Sequence, residues 1–123
     1  MGWLSLGRIV VANSGTPVQA TSLLPTTSYN VDGKPKLQYA PAEAIMFQAA
    51  DTNTGKAYIG LSGFNKNSTA VNLKLATLGI PTNNTIPSVT IALPGTPGAI
   101  NAAEYFIDVG VNGEGVDVSI LVN

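Results

Sequence analysis

The C-terminal stretch Tyr105-Phe106-Ile107-Asp108-Val109-Gly110-Val111-Asn112-Gly113-Glu114-Gly115-Val116-Asp117-Val118-Ser119-Ile120-Leu121-Val122 decides the fold class. Val116, Val118, Ile120 and Val122 alternate with Asp117, Ser119 and Leu121. Successive side chains of a strand point to opposite faces, so a period of two predicts one buried face and one mixed face. Tyr105 to Val111 reads as a second strand. Asn112-Gly113 lies between the two, and an Asn-Gly pair accepts the positive φ angles of a type I′ turn. The stretch therefore predicts an antiparallel hairpin.

The same pattern recurs upstream. Arg8 to Ala12 is rich in β-branched residues, Asn13-Ser14-Gly15 is a turn, and Pro17 to Ser22 can pair back as the second strand of a hairpin. Ala44 to Ala49 and Ala57 to Leu61 flank the turn-rich Asp51-Thr52-Asn53-Thr54-Gly55. Val71, Leu73 and Leu75 alternate with Asn72 and Lys74, and Val89 to Leu93 is a run bounded by Pro87 and Pro94. Pro41 to Ala50 has helix propensity, and Pro41 could open a helix. The run is short and a turn follows it, which favours a strand from Ala44. Roughly seven to nine short strands with frequent turns predict an all-β sandwich or barrel. The loops Leu23 to Leu37 and Gly79 to Pro87 are long for a compact domain and are candidate contact arms.

Composition narrows the function classes. The 123 residues contain no histidine and no cysteine, with six basic and seven acidic side chains. About a quarter of a typical soluble domain is charged. So sparse a charge implies a surface of Thr, Asn, Ser and Gly, or a surface covered by other chains. His- and Cys-based catalytic triads are excluded. The basic residues Arg8, Lys34, Lys36, Lys56, Lys66 and Lys74 are scattered, which argues against nucleic acid as a partner. Mean hydropathy is +0.24, yet the apolar runs are far below the roughly 20 residues of a membrane-spanning helix. The N-terminus carries no recognisable secretion signal, so synthesis and use in a cytoplasm is expected.

The remaining motifs read as turns. Asp51-Thr52-Asn53-Thr54-Gly55 has the oxygen spacing of a calcium loop, but Ser62 stands where the closing Glu is required. Gly113-Glu114-Gly115-Val116-Asp117 is a single copy of a pattern that binds calcium only as stacked repeats. The carboxylates Asp32, Glu43, Asp51, Glu104, Asp108, Glu114 and Asp117 show no paired spacing and read as solvated turn and strand-face charges. No catalytic, cofactor-binding or metal-ligating residue is expected, and the chain is not expected to be an enzyme. Tyr39, Tyr58, Phe64, Tyr105 and Phe106 form no spaced stacking platform.

Trp3, Leu4 and Leu6 are the candidate assembly contacts. Termini fray unless tied down, so apolar residues there need cover. Two covers are open: Trp3, Leu4 and Leu6 belong to the first strand of the domain's own sheet, or residues 1–7 form an arm packed on a neighbour.

Taken together, Gly7-Arg8-Ile9-Val10-Val11, Ser14-Gly15-Thr16-Pro17-Val18-Gln19, Ile45 to Ala49, Asn53 to Gly60 and Tyr105 to Val116 resemble small structural proteins of tailed bacteriophages. The resemblance implies a jelly-roll-like antiparallel β-sandwich over residues 1–123 that decorates or cements a capsid. A tail or fibre component, or a carbohydrate-binding β-sandwich module, is the alternative. It implies the major capsid protein and sister copies as partners, a homo-oligomer (dimer or trimer), and a place on the capsid surface of a virion assembled in the host cytoplasm. It carries no catalytic site.

Overall fold

The computed structural model describes residues 2–23, 41–67, 73–92 and 100–122. Ten strands run through these residues: β1 (Gly2–Val10), β2 (Val18–Gln19), β3 (Pro41–Ala42), β4 (Ala44–Ala49), β5 (Ala57–Leu61), β6 (Lys74–Leu78), β7 (Ser88–Ala92), β8 (Ile100–Asn101), β9 (Tyr105–Val109) and β10 (Gly115–Val122). A 3-10 turn, Ala102–Glu104, leads into β9. The first sheet has the order β1-β10-β4-β7, the second β2-β9-β5-β6, and β3 pairs with β8.

The pairings are nested: β1 with β10, β2 with β9, β3 with β8, β4 with β7 and β5 with β6, all antiparallel. The chain is thus one long hairpin with its tip between β5 and β6. The hairpin is rolled so that β10 also meets β4 and β9 also meets β5. This is jelly-roll topology, an antiparallel sandwich of two four-stranded sheets. The run from Ala44 is a strand, as its length and following turn indicate.

Two expected hairpins are corrected, and the turn between β4 and β5 is likewise a corner between sheets. β9 and β10 lie in different sheets, as do β1 and β2, and β4 and β5. Asn112-Gly113 is a corner that carries the chain between sheets. A type I′ turn needs positive φ at both central residues, and among the described residues only glycines have it, Gly113 at 85° included. The corner is anchored elsewhere: Gly113 N donates to Val11 O at 2.8 Å, and Asn112 Oδ1 accepts from Ser14 N at 2.7 Å. Of the strand expected at Val71 to Leu75, Lys74 and Leu75 open β6, which runs on to Leu78, while Val71 and Asn72 lie outside the described residues.

The core fills the space between the sheets. Ile9, Ile45, Phe47, Val116 and Val118 from the first sheet and Ala57, Ile59, Ile107 and Val109 from the second are fully buried. Each large apolar side chain so buried contributes about 1.5–3 kcal/mol. Phe47 and Tyr105 bridge the layers with ring centroids 5.7 Å apart and planes tilted by 55°.

β1 contains a bulge between Ser5 and Gly7. Up to it, the even-numbered residues face inward, with Leu4 opposite Ile120. Beyond it, the odd-numbered ones do, with Gly7 opposite Val118 and Ile9 opposite Val116. The extra residue lets Leu6 enter the core and turns Arg8 out to water, which a regular strand would not allow. Gly7 adopts φ 98°, and its N–H is held by Ser5 Oγ at 3.1 Å.

Candidate assembly surface

The structure separates the three residues expected to make assembly contacts. From Gly2 onward the 1–7 segment belongs to β1 and pairs with β10. Leu6, named with Trp3 and Leu4 as a candidate assembly contact, is only 4% exposed and packs in the chain's own core. Trp3 and Leu4 are 52% and 53% exposed, adjacent on the edge strand, one on each side of the sheet.

Trp3 opens a row across the outer face of the first sheet: Trp3, Leu121, Ala44, Ala92. The next row is Ser5, Ser119, Met46, Thr90, and the one after it is Arg8, Asp117, Gln48, Ser88. The charges in these rows are mutually paired. Arg8 Nε donates to Asp117 Oδ1 at 2.7 Å, and Nη2 donates to Asp117 Oδ2 at 3.0 Å and Asp51 Oδ1 at 3.3 Å. The Asp117 hydrogen bond raises the Arg8 pKa further and outweighs the opposing desolvation. The first two of these rows carry no charge at all.

The outer face of the second sheet is different, because the chain covers it. The loop after β5 folds back and lays Phe64 on Gly60, where any Cβ would collide with the ring and with Leu73 O at 2.8 Å. The same loop delivers Lys66 to Asp108, with Nζ 3.5 Å from Oδ2. Strand alternation places Asp108 outward, opposite Tyr58, yet it is 1% exposed. The expectation that Asp108 is a solvated strand-face charge is thus corrected. Its Oδ1 accepts from Gly15 N at 2.9 Å and Val109 N at 2.8 Å. Lys66 Nζ also donates to Ser14 Oγ at 2.9 Å, while that hydroxyl donates to Val109 O at 2.6 Å.

A nucleophilic serine needs a base to receive its proton. Here Ser14 accepts from the lysine and gives its proton to a carbonyl. The cluster is a tie between the β1–β2 corner, β9 and the loop after β5.

The β4–β5 corner is tied in the same manner. Asn53, buried, pairs with the Gly115 backbone through Nδ2 to O at 2.8 Å and Gly115 N to Oδ1 at 3.1 Å. Its amide completes a ladder where no strand reaches. Glu114 accepts from Thr54 N, Thr54 Oγ1 and Gly55 N at 2.5, 2.9 and 2.9 Å. Desolvation pushes the Glu114 pKa up, but these bonds outweigh it and the net shift is downward. The calcium-like spacing at Asp51 to Gly55 thus belongs to a corner whose Asn53 turns to the backbone, and among the described residues no three carboxylates gather at one point.

A shallow groove of about 490 Å³ lies on the second sheet, lined by Gln19, Leu61, Ser62, Ala103, Glu104 and Phe106. Gln19 Nε2 is fixed on Ala103 O at 2.7 Å. Of the aromatic residues weighed from the sequence, Phe64 and Tyr105 are buried, Tyr58 and Phe106 half-buried, and Tyr39 lies outside the described residues. Lys74 Nζ stands 5.7 Å from the Tyr58 ring centroid. Comparison with protein-family models, with curated proteins and with solved structures found no match to this chain.

Proposed function

We propose that this chain is a virion structural protein and, within that class, a capsid decoration or cement protein that bridges neighbouring capsomers. Jelly rolls serve viral capsids and lectins alike, so the fold by itself selects no function. The observation that carries the proposal is the outer face of the first sheet, with Trp3 half-exposed and its few charges paired among themselves. Interface cores are depleted in charge and enriched in aromatic residues, and this face has that character. The mechanism is mechanical. Binding to the assembled shell stabilises it by mass action, and symmetry-repeated contacts add avidity. The partners are the major capsid protein and sister copies, at the capsid surface of a particle assembled in the host cytoplasm.

Copy number tests this. Quantitative mass analysis of purified particles should find the chain in numbers comparable to the major capsid protein. A tail or fibre component would be present in far fewer copies, and absence from particles would overturn the proposal. The groove beside Phe106 favours a second reading, a carbohydrate-binding module. In that case a glycan titration followed by NMR should shift the Phe106 and Gln19 resonances.

A further inference from the structure

We propose that this chain forms a two-fold dimer by adding the free edge of β1 to the β1 edge of a second copy, joining the two first sheets into one. β1 ends the first sheet, and among the described residues it pairs with β10 alone. Glu43 N donates to Leu121 O and Ala50 N to Gly115 O, each at 2.9–3.1 Å, so the odd residues of β10 aim their backbone groups at β4. In an antiparallel ladder a residue's N–H and C=O point the same way, alternating along the strand. Trp3, opposite Leu121, and Ser5, opposite Ser119, therefore turn their N–H and C=O away from β10, to the open edge.

Native proteins guard such edges with charges, prolines, bulges or brevity. The other edge strands have these guards. β2 is two residues long and follows Pro17, β6 carries Lys74 and a bulge, and β7 is bracketed in sequence by Pro87 and Pro94. On β1 the bulge and Arg8 come only after Ser5, so the four residues Gly2 to Ser5 carry neither a charge nor a proline.

Register selects a second copy as the occupant. For the two outer faces to remain continuous, residues of equal parity must stand opposite each other. With Leu4 on the two-fold axis, Trp3 faces Ser5 of the second copy and Ser5 faces its Trp3. The four backbone donors and acceptors on each strand then meet in two reciprocal pairs. Leu4 meets its symmetry mate on one side of the joined sheet. On the other side the two Trp3 side chains lie diagonally, within the reach of aromatic rings. One isologous contact thus covers both exposed apolar residues of the segment. It brings no charged side chain opposite another, since Arg8 lies beyond the paired stretch.

The test uses the full-length chain in sedimentation velocity and light scattering across a dilution series. Trp3 is the chain's sole tryptophan, so its emission reports the interface directly. The wild type should sediment as a dimer, and its emission should move to the red as dilution separates the copies. Ser5→Pro removes an edge N–H that the β1–β10 ladder does not use, together with the exposed Ser5 Oγ acceptor of Gly7 N–H, and Leu4→Lys, which leaves that bond intact, sets like charges on the axis. Both should give monomers with wild-type circular dichroism and dilution-independent emission. A wild type that is monomeric throughout, with constant emission, overturns the proposal. So does a dimer that survives both substitutions. The dimer concerns the free chain, so its failure leaves the capsid proposal standing, and a missing particle association leaves the dimer standing.

Discussion

Asp108→Ala is the most informative single perturbation of this fold. The carboxylate accepts two backbone N–H groups, Gly15 and Val109, and pairs with Lys66. Removing it orphans both donors, each costing about 1–3 kcal/mol when buried. It also strands Lys66, whose side chain is only 12% exposed, and breaking a buried pair from one side costs about 3–5 kcal/mol in all. Lys66 is long and close to the surface, so part of that loss is recovered by swinging into water, and we expect about 3–4 kcal/mol. For a domain of this size that corresponds to a fall in Tm of roughly 10–20 °C. The assay is urea and thermal denaturation at neutral pH, with Lys66→Met and the double variant completing a cycle. Because one partner's loss strands the other, the double variant should be less destabilised than the sum of the singles, by about 1–3 kcal/mol. The exposed pair serves as the control: Asp117→Ala, which frees Arg8 at a site open to solvent, should cost no more than about 1 kcal/mol. If Asp108→Ala costs no more than Asp117→Ala, or if the cycle is additive, the corner tie does not hold the fold as described.

Gly60→Ala must dislodge Phe64 and should cost about 1–3 kcal/mol, with increased proteolysis of the loop after β5 as the second readout. Gly115→Ala should be worse, because its Cβ would meet the Ile9 backbone, which has no rotamer to change; failure to reach wild-type yield in soluble expression is the expected outcome. Phe47→Ala removes the ring that meets Tyr105 across the core and should cost about 3–5 kcal/mol, read by chemical denaturation. Glu114 has a folded pKa below its unfolded value of about 4.3, so its stabilising effect is full above that value and is lost as pH falls through the folded pKa. Glu114→Gln should therefore be less stable at pH 7 and show a shallower loss of stability on acidification, with the two proteins converging at the acid end.

The strands were legible in the sequence because burial has a local signature. Val116, Val118 and Ile120 alternate, and all three are buried. Their partners were not legible. Asn112-Gly113 reports that the chain reverses there, and a reversal inside one sheet and a corner between two sheets use the same residues. The choice between them is made by Val11 and Ser14, about a hundred residues away, which anchor the corner. The candidate site was half legible for a related reason. Trp3 and Leu4 are exposed as an apolar terminus suggested, but the bulge at Leu6 shifts the alternation by one, and nothing in Gly2 to Val10 announces it except Gly7. Asp108 was misjudged because alternation correctly sends it outward, and only a distant loop, by folding back, buries it.

The scarcity of charge acquires a location in the structure. Arg8, Asp51 and Asp117 neutralise one another, Lys66 and Asp108 pair, and Glu114 closes on Thr54 and Gly55. All of these gather at the end of the sandwich where β1 leaves for β2, β4 for β5 and β9 for β10. There they fix corners that turn chemistry alone would leave loose. The opposite end of the first sheet carries Trp3, Leu4, Leu121 and Ala92, with Glu43 the nearby charge among the described residues. The two outer faces are also unequal: Phe64 and Lys66 cover the second sheet from within the same chain, and no described loop does so for the first. Among the described residues six of the ten charged side chains are committed to corners at one end, and the other end of the first sheet keeps two uncharged rows and the open β1 edge together. An edge meets another strand through its backbone, and a face meets a neighbour through its side chains. The two contacts are therefore compatible, and a dimer joined along β1 would still present the outer faces of both first sheets to a shell.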